Sequence, residues 1–160
     1  MSDFINTVDI VGDDILMDGL IDRSISGSFN DDKITSIKNY AFSYCTNLES
    51  VSFPNATSIG SSAFQGSGLK AITPETFPFV TATPGSGFQE SALETVDWPS
   101  VITISGDYVF QNCKSLRSIN FPNCTRHANS STFSGCSSLK DVNLPVITTC
   151  PSFENCASLE

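Results

Sequence analysis

Residues 45–64 read CTNLESVSFPNATSIGSSAF. In the first half, Val51 and Phe53 flank a serine, the alternation of a strand with one face buried. Pro54 then stops the strand, because it has no N–H to give to a ladder. Small polar residues carry the chain around, and Ala63-Phe64 bring it back to the apolar interior. One such unit has no means of burying its own apolar face.

The unit recurs. Its strand phrase returns as LETVDWP (93–99), LRSINFP (116–122) and LKDVNLP (139–145). LKAITPETFP (69–78) is the same phrase with an insertion ahead of Phe77. Phe42, Phe64, Phe88, Phe110, Phe133 and Phe153 follow at spacings of 22, 24, 22, 23 and 20. Leu48, Leu69, Leu93, Leu116, Leu139 and Leu159 keep step with them. ITSIKNYAF (34–42) supplies a half-unit at the front. A period of this length predicts stacked units that share one continuous core.

These units resemble BspA-like leucine-rich repeats of the spirochaete type, close to C-x-x-L-x-x-[VI]-x-[FL]-P-x-x-x-x-I-x-x-x-A-F. The resemblance covers about residues 34–160. It implies a repeat solenoid: a right-handed superhelix, mainly parallel β, with short irregular or β return segments and a short N-terminal cap. In that family such arrays act as extracellular adhesion or recognition modules of bacteria, and related arrays occur in phage-encoded proteins. The second and third units lack the cysteine and one residue before the leucine. TRHANSSTF (125–133) sets Ala128 and Thr132 where the pattern has Ile and Ala, and the last unit is short.

Residues 1–33 stand apart as an acidic cap or attachment segment ahead of the array at 34–160. They hold eight aspartates against Arg23 and Lys33, a net −6 of the chain's −9. Ile15, Leu16, Leu20 and Ile21 are spaced for one helix face within 13–25, with Asp13 or Asp14 as N-cap, although Gly19 weakens the helix. The acidity argues against nucleic-acid binding, which needs a basic face. No apolar run reaches the roughly 18–20 residues of a membrane span, so no membrane insertion is expected. No basic-then-apolar signal segment opens the chain. The final CASLE stops where another strand would start, which leaves an edge that could join a second copy.

Catalytic motifs dissolve into the period. Cys45, Cys113, Cys136 and Cys156 each precede the leucine by three, so they form a column of small core residues, close enough for disulfides to be conceivable. Cys124 and Cys150 lie in other columns. With no C-x-x-C and His127 as the sole histidine, zinc-ligand spacing is absent, and a thiol nucleophile lacks a base. The S-x-x-K strings at 67–70 and 137–140 share one column and read as scaffold. The glycosylation acceptors at Asn55 and Asn123 follow the strand-ending proline in the same way, and Asn129 is a third. No cofactor motif is present, and no enzyme is expected.

Recognition is left to the outward strand positions. The residue after each leucine is Glu49, Lys70, Glu94, Arg117, Lys140 or Glu160, a column of nearly alternating charge. It serves either as a register-setting ladder or as a contact surface. Beside it run Ser50, Ala71, Thr95, Ser118 and Asp141, then Ser52, Asp97, Asn120 and Asn143. Small polar residues on a broad sheet suit a wide contact with a protein or glycan partner on a cell or particle surface. In the insert, Phe77 takes the buried strand position and Phe79 is a candidate edge contact. The alternative is a structural or host-attachment protein of a phage particle, docked by the acidic segment.

Overall fold

The computed structural model describes residues 14–15, 23–127 and 131–160. Twelve short strands follow one another there: β1 (Asp14–Ile15), β2 (Gly27–Asn30), β3 (Ser36–Ile37), β4 (Leu48–Ser52), β5 (Ser58–Ile59), β6 (Ala71–Ile72), β7 (Ala82–Thr83), β8 (Thr95–Asp97), β9 (Thr103–Ile104), β10 (Ser118–Asn120), β11 (Arg126–His127) and β12 (Asp141–Asn143). Every pairing is parallel and joins strands one unit apart. The long strands give β2-β4 and β6-β8-β10-β12, and the return strands give β1-β3-β5 and β7-β9-β11. No described residue is helical. The chain is a parallel β-solenoid of about five turns.

Two aromatic columns fill it. The six period-marking phenylalanines stack ring on ring, from Phe42–Phe64 at 5.1 Å to Phe133–Phe153 at 5.4 Å, with interplanar angles of 11° or less. The strand-ending aromatics form the second column: Phe29, Phe53, Phe77 and Trp98 succeed one another at 5.4–6.0 Å. Phe121 follows Trp98 in the period and packs against Phe110. Leu48 through Leu139 close the core on the strand side, fully buried. Each aromatic contact adds about 0.5–1.5 kcal/mol beyond the area it buries. Stability therefore resides between units rather than within them.

The return turns are held by backbone bonds that repeat with the period. Phe64 N–H donates to Gly87 at 2.8 Å and Phe88 N–H to Val109 at 2.9 Å. Two residues on either side of the phenylalanine the backbone turns left-handed, at Tyr40, Tyr44, Ser62, Ser86, Glu90, Tyr108, Asn112 and Asn155. Glycine would take that conformation without strain. The ladder imposes it here on other residue types.

Three stretches differ from the sequence-based expectation. The helix read over 13–25 is not formed at Asp14–Ile15, which pairs in parallel with Ser36–Ile37. Ile15 lies 22 residues before Ile37, in step with the column that continues to Ile59, and a strand edge satisfies its backbone where Gly19 weakens a helix. Residues 23–25 are not helical either, and the rest of that expectation, at 13 and 16–22, falls outside the described residues. Gly27–Asn30 also joins the stack, and Phe29 packs on Phe42 and Phe53.

At 125–133 the isoleucine position is taken by His127, not Ala128: Arg126 pairs with Thr103 and His127 with Ile104. Six positions separate His127 from Phe133, as they do Ile104 from Phe110, whereas five separate Ile59 from Phe64. The extra residue lies in the turn, so counting back from Phe133 misses the strand by one. His127 Nε2 bonds Thr132 Oγ1 at 2.8 Å, and partial burial lowers its pKa. In the second unit, Thr73 and Thr76 close the insert on themselves, with the Thr73 N–H donating to Thr76 Oγ1 at 2.9 Å. Phe53 N–H then donates to the Thr76 carbonyl at 3.0 Å, so Thr76 fills the column between Ser52 and Asp97.

Candidate functional site

The outward faces of the long strands bring most of the sequence-derived binding residues side by side. Thr95, Ser118 and Asp141 stand opposite one another, as do Asp97, Asn120 and Asn143. The second row is bonded through its side chains: Asn143 Nδ2 donates to Asn120 Oδ1 at 2.6 Å, and Asn120 Nδ2 donates to Asp97 Oδ1 at 2.8 Å. Each amide thus commits one N–H donor to its neighbour and has a second that the row does not use. The row is cross-bonded within the protein itself, an arrangement that would lower the ordering cost of any contact made there. These residues and Lys140 line a shallow open depression of about 670 Å³. Ser52 lies apart from it, beside Asn30.

The charged column is continuous as backbone. Lys70 N–H donates to Glu49, Glu94 to Lys70, Arg117 to Glu94 and Lys140 to Arg117, at 2.8–3.0 Å. As an ion-pair ladder it is less complete than its alternation predicts. Arg117 Nη1 lies 3.5 Å from Glu94 Oε2, with side chains 67% and 42% exposed, worth no more than about 1 kcal/mol at such exposure. Among the described residues, no salt bridge joins Lys70 to Glu49 or Glu94. These side chains extend into solvent and are available to a partner. Phe77 is fully buried, and Phe79 is 60% exposed at the strand-end edge.

The cysteine column carries packing, not chemistry. Cys113, Cys136 and Cys156 are buried free thiols, and each donates from Sγ to the carbonyl of the phenylalanine one unit earlier, Phe88, Phe110 or Phe133, at 3.0–3.1 Å. Burial pushes the Cys113 thiol up to about 11, and that of Cys136 further still. A thiolate is therefore strongly disfavoured at either position. Cys150 is exposed. Native protein titrated with a disulfide reagent at neutral pH is expected to release one fast equivalent, from Cys150, with the others reacting only in denaturant. Rapid labelling of Cys113 would contradict this packing. Among the described residues, no group of three or more His, Cys, Asp or Glu could hold a metal ion, and no helix is long and apolar enough to cross a membrane.

A family model for the BspA type leucine rich repeat region matches residues 35–160 in six copies. The chain belongs to the BspA-type leucine-rich-repeat family. No curated protein matches it. Among solved structures, this BspA-type array is similar to a leucine-rich repeat protein from Eubacterium ventriosum (24% identity, TM-score 0.68, 82% of this chain and 37% of that one). It is similar to one from Bacteroides ovatus (25%, TM-score 0.61, 87% and 40%), and to the T. pallidum leucine-rich repeat protein (22%, TM-score 0.69, 83% and 64%). The array thus spans about two fifths to two thirds of the length of these structures. Membership in this family points to a protein-interaction or surface module.

Proposed function

We propose that this BspA-type array is a non-enzymatic recognition module, displayed at a cell or particle surface, that holds a protein or glycan partner against its exposed strand face. The observation that carries the reading is the bonded row Asp97–Asn120–Asn143 beside Thr95–Ser118–Asp141. A broad, pre-ordered, polar surface with charges along one margin favours a wide contact whose specificity comes from hydrogen bonding. It lacks the deep convergent cleft of a small-molecule enzyme site.

The test is binding of the labelled chain to an array of purified surface glycoproteins and glycans. Replacing Asp97→Arg together with Asn120→Arg is expected to weaken any interaction found by at least about tenfold, or 1.4 kcal/mol. Ser58→Arg, on a return strand, is expected to leave it unchanged. The reverse pattern, loss with Ser58→Arg alone, would move the function to the return side.

A further inference from the structure

The turn from core phenylalanine to strand leucine is shortened in two consecutive units. Five positions separate Phe64 from Leu69 and Phe88 from Leu93, whereas six separate Phe42 from Leu48, Phe110 from Leu116 and Phe133 from Leu139. The units stack in register, with Gly68 N–H on the Cys45 carbonyl and Ala92 N–H on the Ser67 carbonyl. Two short turns side by side therefore leave a notch walled by their longer neighbours. The notch is an open depression of about 550 Å³ on the edge where turns run into strands.

Two features of its lining stand out, although the first is shared with Thr83 on a return strand. Ser67 is 2% exposed, yet its hydroxyl has no hydrogen-bond partner. Its column neighbours are satisfied: Ser91 bonds Cys113, and the thiols of Cys113, Cys136 and Cys156 reach carbonyls. An unpaired buried hydroxyl costs about 1–3 kcal/mol, and rotation of the Ser67 side chain toward the notch would let a ligand hydroxyl satisfy it. The second feature is Glu90, left-handed at φ 59°. Gly66, Asn112, Gly135 and Asn155 occupy the same column and suit that conformation; glutamate does not. Tyr44, the other exception, lays its ring where a side chain on Gly66 would go. Glu90 instead brings an acidic residue to the lining of the notch, which also includes Lys114.

We propose that this notch is a saccharide site that takes one pyranose unit through its hydroxyls. The lining holds both acceptors and donors: the Glu90 carboxylate, the Asn112 amide, the Lys114 ammonium and the hydroxyls of Thr46, Ser67 and Ser115. A neutral polyol, each of whose hydroxyls both donates and accepts, matches that mixture. A phosphate would meet Glu90, a metal ion would meet Lys114, and an apolar side chain would leave the Ser67 hydroxyl unpaired. No aromatic face is offered, since Arg23 lies 5.7 Å over the Tyr44 ring and Gly66 lies against it. Binding is therefore weak for a single unit. The site is separate from the strand face and stands whether or not that face binds a macromolecule.

The experiment is a two-dimensional NMR titration of the isotope-labelled full chain with N-acetylglucosamine, galactose and mannose, then with short oligosaccharides of each. The amides of Gly66, Gly68 and Ala92 are expected to shift saturably with at least one sugar, while those of Ser118 and Asn120 stay still. Tighter binding of the oligosaccharide than of its monomer identifies a polysaccharide unit as the source; equal binding identifies the free sugar. Glu90→Asn keeps a residue suited to the left-handed turn, so it is expected to fold and to bind at least about tenfold more weakly. Ala92→Trp fills the notch and is expected to abolish the shifts. The proposal is overturned if no sugar moves these amides, or if folded Glu90→Asn binds as the parent does.

Discussion

Truncation of Phe88 to alanine is expected to destabilise the solenoid by about 3–5 kcal/mol, a large share of the roughly 5–15 kcal/mol that holds an ordinary domain together. The ring is fully buried at the crossing of both aromatic columns. It stacks on Phe64 and Phe110 at 5.4 Å, meets Trp98 edge-on at 5.8 Å and lies 6.4 Å from Phe77. The neighbours cannot collapse into the gap, because each is fixed by its own stacking partner and by the backbone ladder. In a nearest-neighbour array the loss falls on two interfaces at once. The urea transition should move to lower concentration and broaden as the two flanking halves uncouple. Phe79→Ala removes an equally large ring from an exposed position and is expected to stay within about 0.5 kcal/mol. Equal costs for the two substitutions would mean that the stacked column is not what holds the units together.

The same contrast separates the positions committed to packing from those open to a partner. Inward positions are committed to column packing, and the thiols are drawn into it as well. What varies without harm to the stack is the outward strand surface and the length of the turns. The strand surface supplies a pre-bonded polar row, and turn length supplies relief on an otherwise even edge. Both are properties of several units together, because a single unit offers only one asparagine or one shortened turn.

The period was legible in the residues because phenylalanine, leucine and proline recur at fixed places and mean the same thing each time. The outward columns follow from it, since parallel register carries Thr95, Ser118 and Asp141 to one line. Legibility failed where unit length changes. A count from Phe133 puts Ala128 in the isoleucine column instead of His127, because that unit is one residue longer between strand and phenylalanine. Thr76 entered the polar column through an insert whose closure depends on a threonine pair. The left-handed positions were also hidden, since tyrosine, serine and glutamate do not announce that conformation; the stack imposes it. The notch required the register itself, for a missing residue becomes a depression only when two short turns lie side by side.

Replacing Gly106 by alanine is the second large effect expected, about 1–3 kcal/mol of destabilisation, and its neighbour supplies the control. Gly106 and Gly85 face one another in adjacent turns. A Cβ on Gly106 would meet the Gly85 nitrogen and Cα and the Pro84 carbonyl carbon, all of them backbone. No side chain can swing aside to make room, so the two turns would have to separate. That separation would strain the ladder bonds that continue from them, Ser86 N–H to Asp107 at 2.7 Å and Phe88 N–H to Val109 at 2.9 Å. A Cβ on Gly85 would come no nearer than 3.9 Å to any atom outside its immediate neighbours, which is ordinary contact. Gly85→Ala is therefore expected to be neutral, or to stabilise by up to about 1 kcal/mol through the unfolded chain. The measurement is the difference between the two variants in thermal and urea unfolding. Opposite signs are expected from one substitution at two touching glycines. A matching loss at both would mean that glycine's role here is backbone freedom and not the close approach of one turn to the next.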